Sequence, residues 1–281
     1  MKLFTKTNAI AAIIASTLLT AATANAGIAD TKHNLGTSGA AGNNKLSTVT
    51  AQAGKTPDAT EICVFCHTPH GANSGIDAPL WNKTFKPGTY ETYADMNSTS
   101  IDGETLTVGS VSIACLSCHD GSQAMDVMSN ESGSGEDTIA SVVWEGGTQT
   151  SGKMNGFAAV AGDSATLKND HPIGIQYAGG GYTATDPTAS AGVEQKDADF
   201  HAPATANING NQVWWVDTAG GATDKREKED MVLYSRTGTT SGDIEPFVEC
   251  ASCHDPHQSE TNTFLRIDNT GSAVCLACHD K

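Results

Sequence analysis

Cys250-Ala251-Ser252-Cys253-His254-Asp255-Pro256-His257, followed by Cys275-Leu276-Ala277-Cys278-His279-Asp280, decides how this chain is read. Paired thiols with a histidine directly after the second have the spacing of covalent haem c attachment. The thiols bond the haem vinyl groups, and the histidine takes one axial position of the iron. The stretch has a twin in Cys63-Val64-Phe65-Cys66-His67-Thr68-Pro69-His70 and Cys115-Leu116-Ser117-Cys118-His119-Asp120. These four motifs contain all eight cysteines of the 281-residue chain. Zinc sites or disulfides are the rival readings. A zinc site has no use for a histidine after every second cysteine, and a disulfide framework would not confine every cysteine to one spacing. The motifs therefore predict four haem c groups, attached through Cys63, Cys66, Cys115, Cys118, Cys250, Cys253, Cys275 and Cys278. His67, His119, His254 and His279 are the proximal iron ligands.

The residues just after each motif sort the four into two ordered copies. The first motif of each copy continues as His-x-Pro-His, ending at His70 and His257. The second reads Cys-Leu-x-Cys-His-Asp. A His-x-(Leu/Ile)-Gly element precedes each copy, at His33 and at His171. Such a repeat is the organisation of the molecule. Of the nine histidines, four are proximal, and His33, His70, His171 and His257 supply one distal ligand per iron. Only His201 is left over, so the tally favours bis-histidine ligation throughout. Met96, Met125, Met128, Met154 and Met231 are rival ligands, but none recurs between the copies; Met125 and Met128 read as packing near the second haem.

His67 and His70 cannot serve one iron, because trans ligands approach from opposite ring faces. The intervening proline favours an extended backbone leading away from the attachment turn. Three residues span at most roughly 10 Å, so the linked irons lie close together. The first expectation is pairing within each copy, His70 with the haem of His119 and His257 with that of His279. His33 and His171 then cap the other two irons.

Lys2 and Lys6, an apolar run from Ala9 to about Ala22, and Ala24-Asn25-Ala26 have the pattern of a secretory signal peptide. Residues 1–26 are therefore set apart from the fold, and export is expected, to the cell surface or beyond it, or to the periplasm. No later run is long enough to span a membrane. Without those two lysines the formal charge goes from −16 to −18. Such an acidic chain has no basic stripe for nucleic acid, though it suits basic redox partners or cations.

Gly, Ser, Thr, Asn and Ala dominate and aromatic residues are few. The haems themselves are expected to form the core of a mostly irregular fold, stapled covalently. Short helices fall at the haem motifs and a few short strands in the middle region. The divisions are a first haem-pair module over 27–130, a loop-rich central region over 131–248 supplying His171, and a second haem-pair module over 249–281. Asn211-Gln212-Val213-Trp214-Trp215-Val216 reads as a strand, with a turn at Gly220-Gly221. Its tryptophans are read as packing rather than as an electron relay. Lys225 to Asp230 reads as a solvated face.

These residues resemble the doubled Cys-x-x-Cys-His family of multihaem cytochromes, and within it the OmcE-type tetrahaem cytochromes that polymerise into extracellular filaments. The resemblance rests on Lys32-His33-Asn34-Leu35, Cys66-His67-Thr68-Pro69-His70-Gly71, Ala78-Pro79-Leu80-Trp81-Asn82, Cys118-His119-Asp120-Gly121, Asn169-Asp170-His171-Pro172-Ile173-Gly174 and Cys253-His254-Asp255-Pro256-His257. Residues 178–248 have no counterpart in it. The resemblance implies a continuous haem stack in which one iron takes its distal histidine from the neighbouring subunit. On this chain the implied donor is His33, near the start of the mature chain. A head-to-tail contact of that kind propagates as a filament instead of closing. Three functions are weighed: extracellular electron transfer in a filament, a monomeric periplasmic shuttle, and a multihaem reductase. A reductase needs an iron with an open position. Here the histidines can cap every iron, so electron transfer without enzymatic chemistry is the expectation.

Overall fold

The computed structural model describes residues 27–280, apart from 56–58, 85–87, 97, 133–138, 163–165, 184–196, 219–224 and 262. The signal-peptide reading and the Gly220-Gly221 turn lie outside the described residues. Most of the rest is irregular chain with short helices and short antiparallel strands, as expected.

Every attachment motif is a single helical turn. The first is a 3-10 turn at Cys63–Phe65; the others belong to α1 (Ser110–His119), α2 (Cys250–Cys253) and α3 (Ala273–Leu276). The spacing demands this, since residues three and four apart share one helix face. Backbone bonds close the turns: the amides of His67, His254 and His279 donate to the carbonyls of Cys63, Cys250 and Cys275 at 2.8, 3.2 and 2.9 Å. Both thiols and the histidine then face one side. α1 is the longest, buries Ile113, Ala114 and Leu116, and ends at Gly121, whose φ of +73° is the left-handed stop glycine favours. Glu249 caps α2: its carboxylate accepts the Ser252 amide, and its own amide donates to the Ser252 hydroxyl.

Among the described residues, three antiparallel sheets support these turns. β1 (Lys45–Ala51) pairs with β2 (Ile139–Glu145), so the central region adds a strand to the first module. β3 (Gln149–Thr150) and β4 (Lys153–Met154) form a small hairpin. The largest sheet has five strands in the order β5-β9-β8-β7-β6, comprising β5 (Ile175–Gln176), β6 (Ala204–Ile208), β7 (Asn211–Val216), β8 (Met231–Thr237) and β9 (Ile244–Val248). Asn209-Gly210 turns β6 into β7 with both φ values positive, the type I′ geometry of a two-residue hairpin.

The apolar cores converge on the cysteines. Tyr177, Tyr182, Trp214, Met231 and Leu233 pack behind Cys253 and Cys278. Leu35, Leu46, Phe65, Met125 and Met154 pack behind Cys66 and Cys118, with Met128 at their margin. Trp214 and Trp215 are buried structural residues of β7, as read from the sequence. Lys225, Arg226, Lys228 and Glu229 are exposed, but Asp230 is buried and accepts the amides of Thr218 and Glu227, so the charged run ends in a turn anchor.

A polar seam joins the two copies. Ser112 on α1 donates its hydroxyl to Glu249 and accepts the Cys250 amide at 3.0 Å. Arg236 on β8 donates to Glu249 and to the Thr107 carbonyl, each at 2.9 Å. The side chains of Arg236 and Glu249 are 15% and 0% exposed, so the charge pair is desolvated and held by its geometry. Among the described residues, no helix is long and apolar enough to cross a membrane.

Candidate haem-binding sites

Three of the four motif histidines are oriented by backbone carbonyls. His67 Nδ1 lies 2.6 Å from the Pro79 carbonyl, His119 Nδ1 2.6 Å from that of Ala158, and His254 Nδ1 2.8 Å from that of Thr263. A carbonyl can only accept, so each Nδ1 carries the proton and donates it. That fixes the tautomer and leaves the Nε2 lone pair free for a metal. The donor set therefore fits the iron of an attached haem.

The two copies repeat this arrangement closely. The His67 and His254 segments each bridge a returning strand, at Trp81 and Leu265. The amides of Thr68 and Asp255 donate to the Leu80 and Phe264 carbonyls, both at 2.8 Å. Leu80 and Phe264 have φ values of +55° and +59°. A bulky residue in that left-handed region is strained. The strain lets two successive carbonyls serve one segment, the first holding the histidine ring and the second bonding the next amide. Trp81 Nε1, buried without a partner beside His67, is a further donor an attached haem can use.

Two histidine pairs are assembled across the chain. The His33 and His119 rings have centroids 6.2 Å apart, and those of His67 and His257 are 6.1 Å apart. Two imidazoles holding one metal from opposite sides at about 2 Å each have centroids roughly 6 Å apart. Both gaps fit one iron. The rings meet differently from the first expectation: His257 of the second copy faces His67 of the first, and His33 faces His119. His33 is also not a free tail reaching for a neighbour. It is packed within its own chain, stacked on Phe264 at 4.2 Å, with its Nδ1 3.4 Å from the Pro256 carbonyl. Burial and then the nearby His119 push His33 down to about 4, while the Pro256 carbonyl opposes them. Burial likewise lowers His119. Both rings are thus neutral at pH 7, the form that binds metal.

His70 and His171 are exposed, and no second histidine ring faces either among the described residues. His171 Nδ1 lies 2.9 Å from the Pro172 carbonyl, a contact within its own dipeptide. The spare His201 sits against the fourth motif through its backbone: its amide donates to the Cys278 carbonyl at 2.9 Å, and the preceding Phe200 packs on His279 at 4.2 Å. Sequence reasoning gave no role to Phe200 or Phe264, because a ring contact carries no motif, and Leu80 stood only within a stretch quoted for the resemblance.

The attachment cysteines follow one another through the structure. Cys66 is within electrostatic reach of Cys118 and Cys115, Cys115 meets Cys250 directly, and Cys253 neighbours Cys275 and Cys278. No two of the eight are joined to each other by a disulfide in this structure. Burial pushes the Cys66 and Cys278 thiols up to about 12, whereas the hydrogen bond with Cys115 lowers Cys250. Among the described residues no three histidine, cysteine, aspartate or glutamate side chains converge as a zinc site requires.

Residues 245–281 match the family described as the doubled CXXCH motif, in the second of the two copies. The match marks covalent attachment of c-type haem and indicates a multihaem c-type cytochrome, a class that transfers electrons. No curated protein matches the chain.

Proposed function

We propose that this chain carries electrons through four closely spaced bis-histidine haems, attached at the four motifs, as the exported subunit of an extracellular filament. Bound haem supplies the one-electron iron couple. The protein residues hold the irons, fix their axial rings and set the distances between sites. His33 with His119 and His67 with His257 are the axial pairs of two irons. His70, His171, His254 and His279 serve the other two.

One observation carries the filament reading: the copies interlock by a step that the chain leaves unfinished. His257 of the second copy reaches the first haem site of the preceding copy, at His67. Repeating that step from one chain to the next brings His70 of the following subunit to His254. By the same analogy His171 caps the iron of His279, as His33 caps that of His119. The junction donor is then His70, exposed and without a ring partner, and not the inward-facing His33. Such a contact is head-to-tail and does not close.

The test is optical and magnetic spectroscopy of the dilute haem-loaded chain, alongside electron microscopy of extracellular material. A monomer with a high-spin haem that turns low-spin on assembly supports the reading, as does loss of filaments in His70→Ala. A monomer whose four haems are all low-spin overturns the shared ligation and favours a periplasmic shuttle. So does a His70→Ala variant that still polymerises with every haem low-spin.

A further inference from the structure

The two completed histidine pairs differ in one respect that the fold controls. The ring planes of His67 and His257 are 19° apart, nearly parallel. Those of His33 and His119 are 64° apart. An imidazole donates π density only perpendicular to its own plane. Near-parallel rings therefore act on one iron d orbital and split it from its partner. Strongly crossed rings act on both and leave them close in energy. The same ligand pair thus gives low-spin ferric haems with different magnetic signatures.

What holds the crossed angle can be read from the contacts. His119 is fixed by a short 2.6 Å bond to the Ala158 carbonyl. His33 has only a 3.4 Å contact to the Pro256 carbonyl, too long to fix a ring firmly. Its plane is instead laid on the Phe264 ring, 4.2 Å away and tilted by 10°. Phe264 adopts its left-handed backbone at a cost that glycine would avoid. Leu80 occupies the matching place in the other copy, 53% exposed. The backbone turn is thus common to both copies, and the aromatic face is present where a distal histidine lies against it.

We propose that Phe264 is a positioning residue that sets the ring plane of His33 and so makes the iron site at His119 electronically unlike the one at His67. The inference rests on reading His33 as the axial partner of His119.

The experiment is electron paramagnetic resonance of the oxidised, haem-loaded protein. The native chain is expected to show a strongly anisotropic low-field signal from the crossed pair, beside a rhombic signal from the near-parallel pair. Phe264→Leu keeps apolar bulk, and leucine already takes this backbone at position 80. It is expected to lose the low-field signal while the absorption spectrum keeps the native proportion of low-spin haem and the haem content is unchanged. Phe264→Tyr, which keeps the flat face, should retain that signal. An undiminished low-field signal in Phe264→Leu overturns the positioning role. His33→Ala separates the two layers: it must convert one haem to high-spin, and failure to do so removes the ligand assignment instead.

Discussion

Arg236→Met tests whether the seam between the copies is held by a desolvated charge pair. The substitution keeps most of the side-chain length and removes the cation. Glu249, fully buried, would retain the Ser112 hydroxyl and the Ser252 amide but lose its counter-charge. Removing one partner of a buried pair costs about 3–5 kcal/mol. The two surviving donors hold the loss near the lower end, and the lost bond to the Thr107 carbonyl adds about 1 kcal/mol. With a urea slope of about 1–3 kcal/mol per molar, the midpoint should fall by more than about 1 M. Urea denaturation of the haem-loaded protein at pH 7, followed by circular dichroism in the haem band, reads this directly. Adding Glu249→Gln should restore most of the loss, because no unpaired charge remains. A single variant within about 0.5 kcal/mol of the native chain, or a double variant no better than the single, refutes the reasoning.

Glu249 also predicts a pH dependence. Burial raises its carboxyl above the ordinary value of 4.5, although Ser112 and Arg236 pull the other way. A raised folded-state value means the folded chain binds the proton more tightly, so this contribution is full below about pH 4.5 and is lost as pH rises through the folded value. Glu249→Gln should therefore flatten the fall in stability between acid and neutral pH, and denaturation midpoints at two pH values check it; unchanged slopes would count against it. For the ligand pairs, His257→Ala should turn one haem of the dilute chain high-spin by opening the site at His67. His70→Ala should leave every haem of the dilute chain untouched, and a new high-spin haem in that variant would restore pairing within each copy.

The helical turns at the motifs were legible because the chemistry forces thiols and histidine onto one face. The strand over Asn211–Val216 was legible from its apolar β-forming residues. Asn209-Gly210 is a strong hairpin signal, and with it β6 was within reach of the sequence; β8 and β9 complete a more extensive sheet than a few short strands suggested. The pairing of histidines was not legible. It depends on how the second copy folds over the first, and the local spacing of His67 and His70 says only that they serve different irons. The place of His33 was hidden for a related reason: closeness to a chain end does not show that a segment is free, and its seat is made by Phe264 and Pro256, far away in sequence. The carbonyls that fix His67, His119 and His254 belong to the backbone, so no side-chain pattern announces them.

The meeting of Cys115 with Cys250 sets an order of events in the making of this molecule. In the closed chain Cys66, Cys115 and Cys250 are half-buried, and the Cys115 and Cys250 thiols are hydrogen-bonded to one another. Haem joined to these motifs before the two copies close would keep the two thiols from each other. Should closure come first under oxidising conditions, two thiols from different motifs would already be neighbours, ready to cross-link and leave both motifs unloaded. Loading before closure is thus the order that keeps both motifs available for attachment.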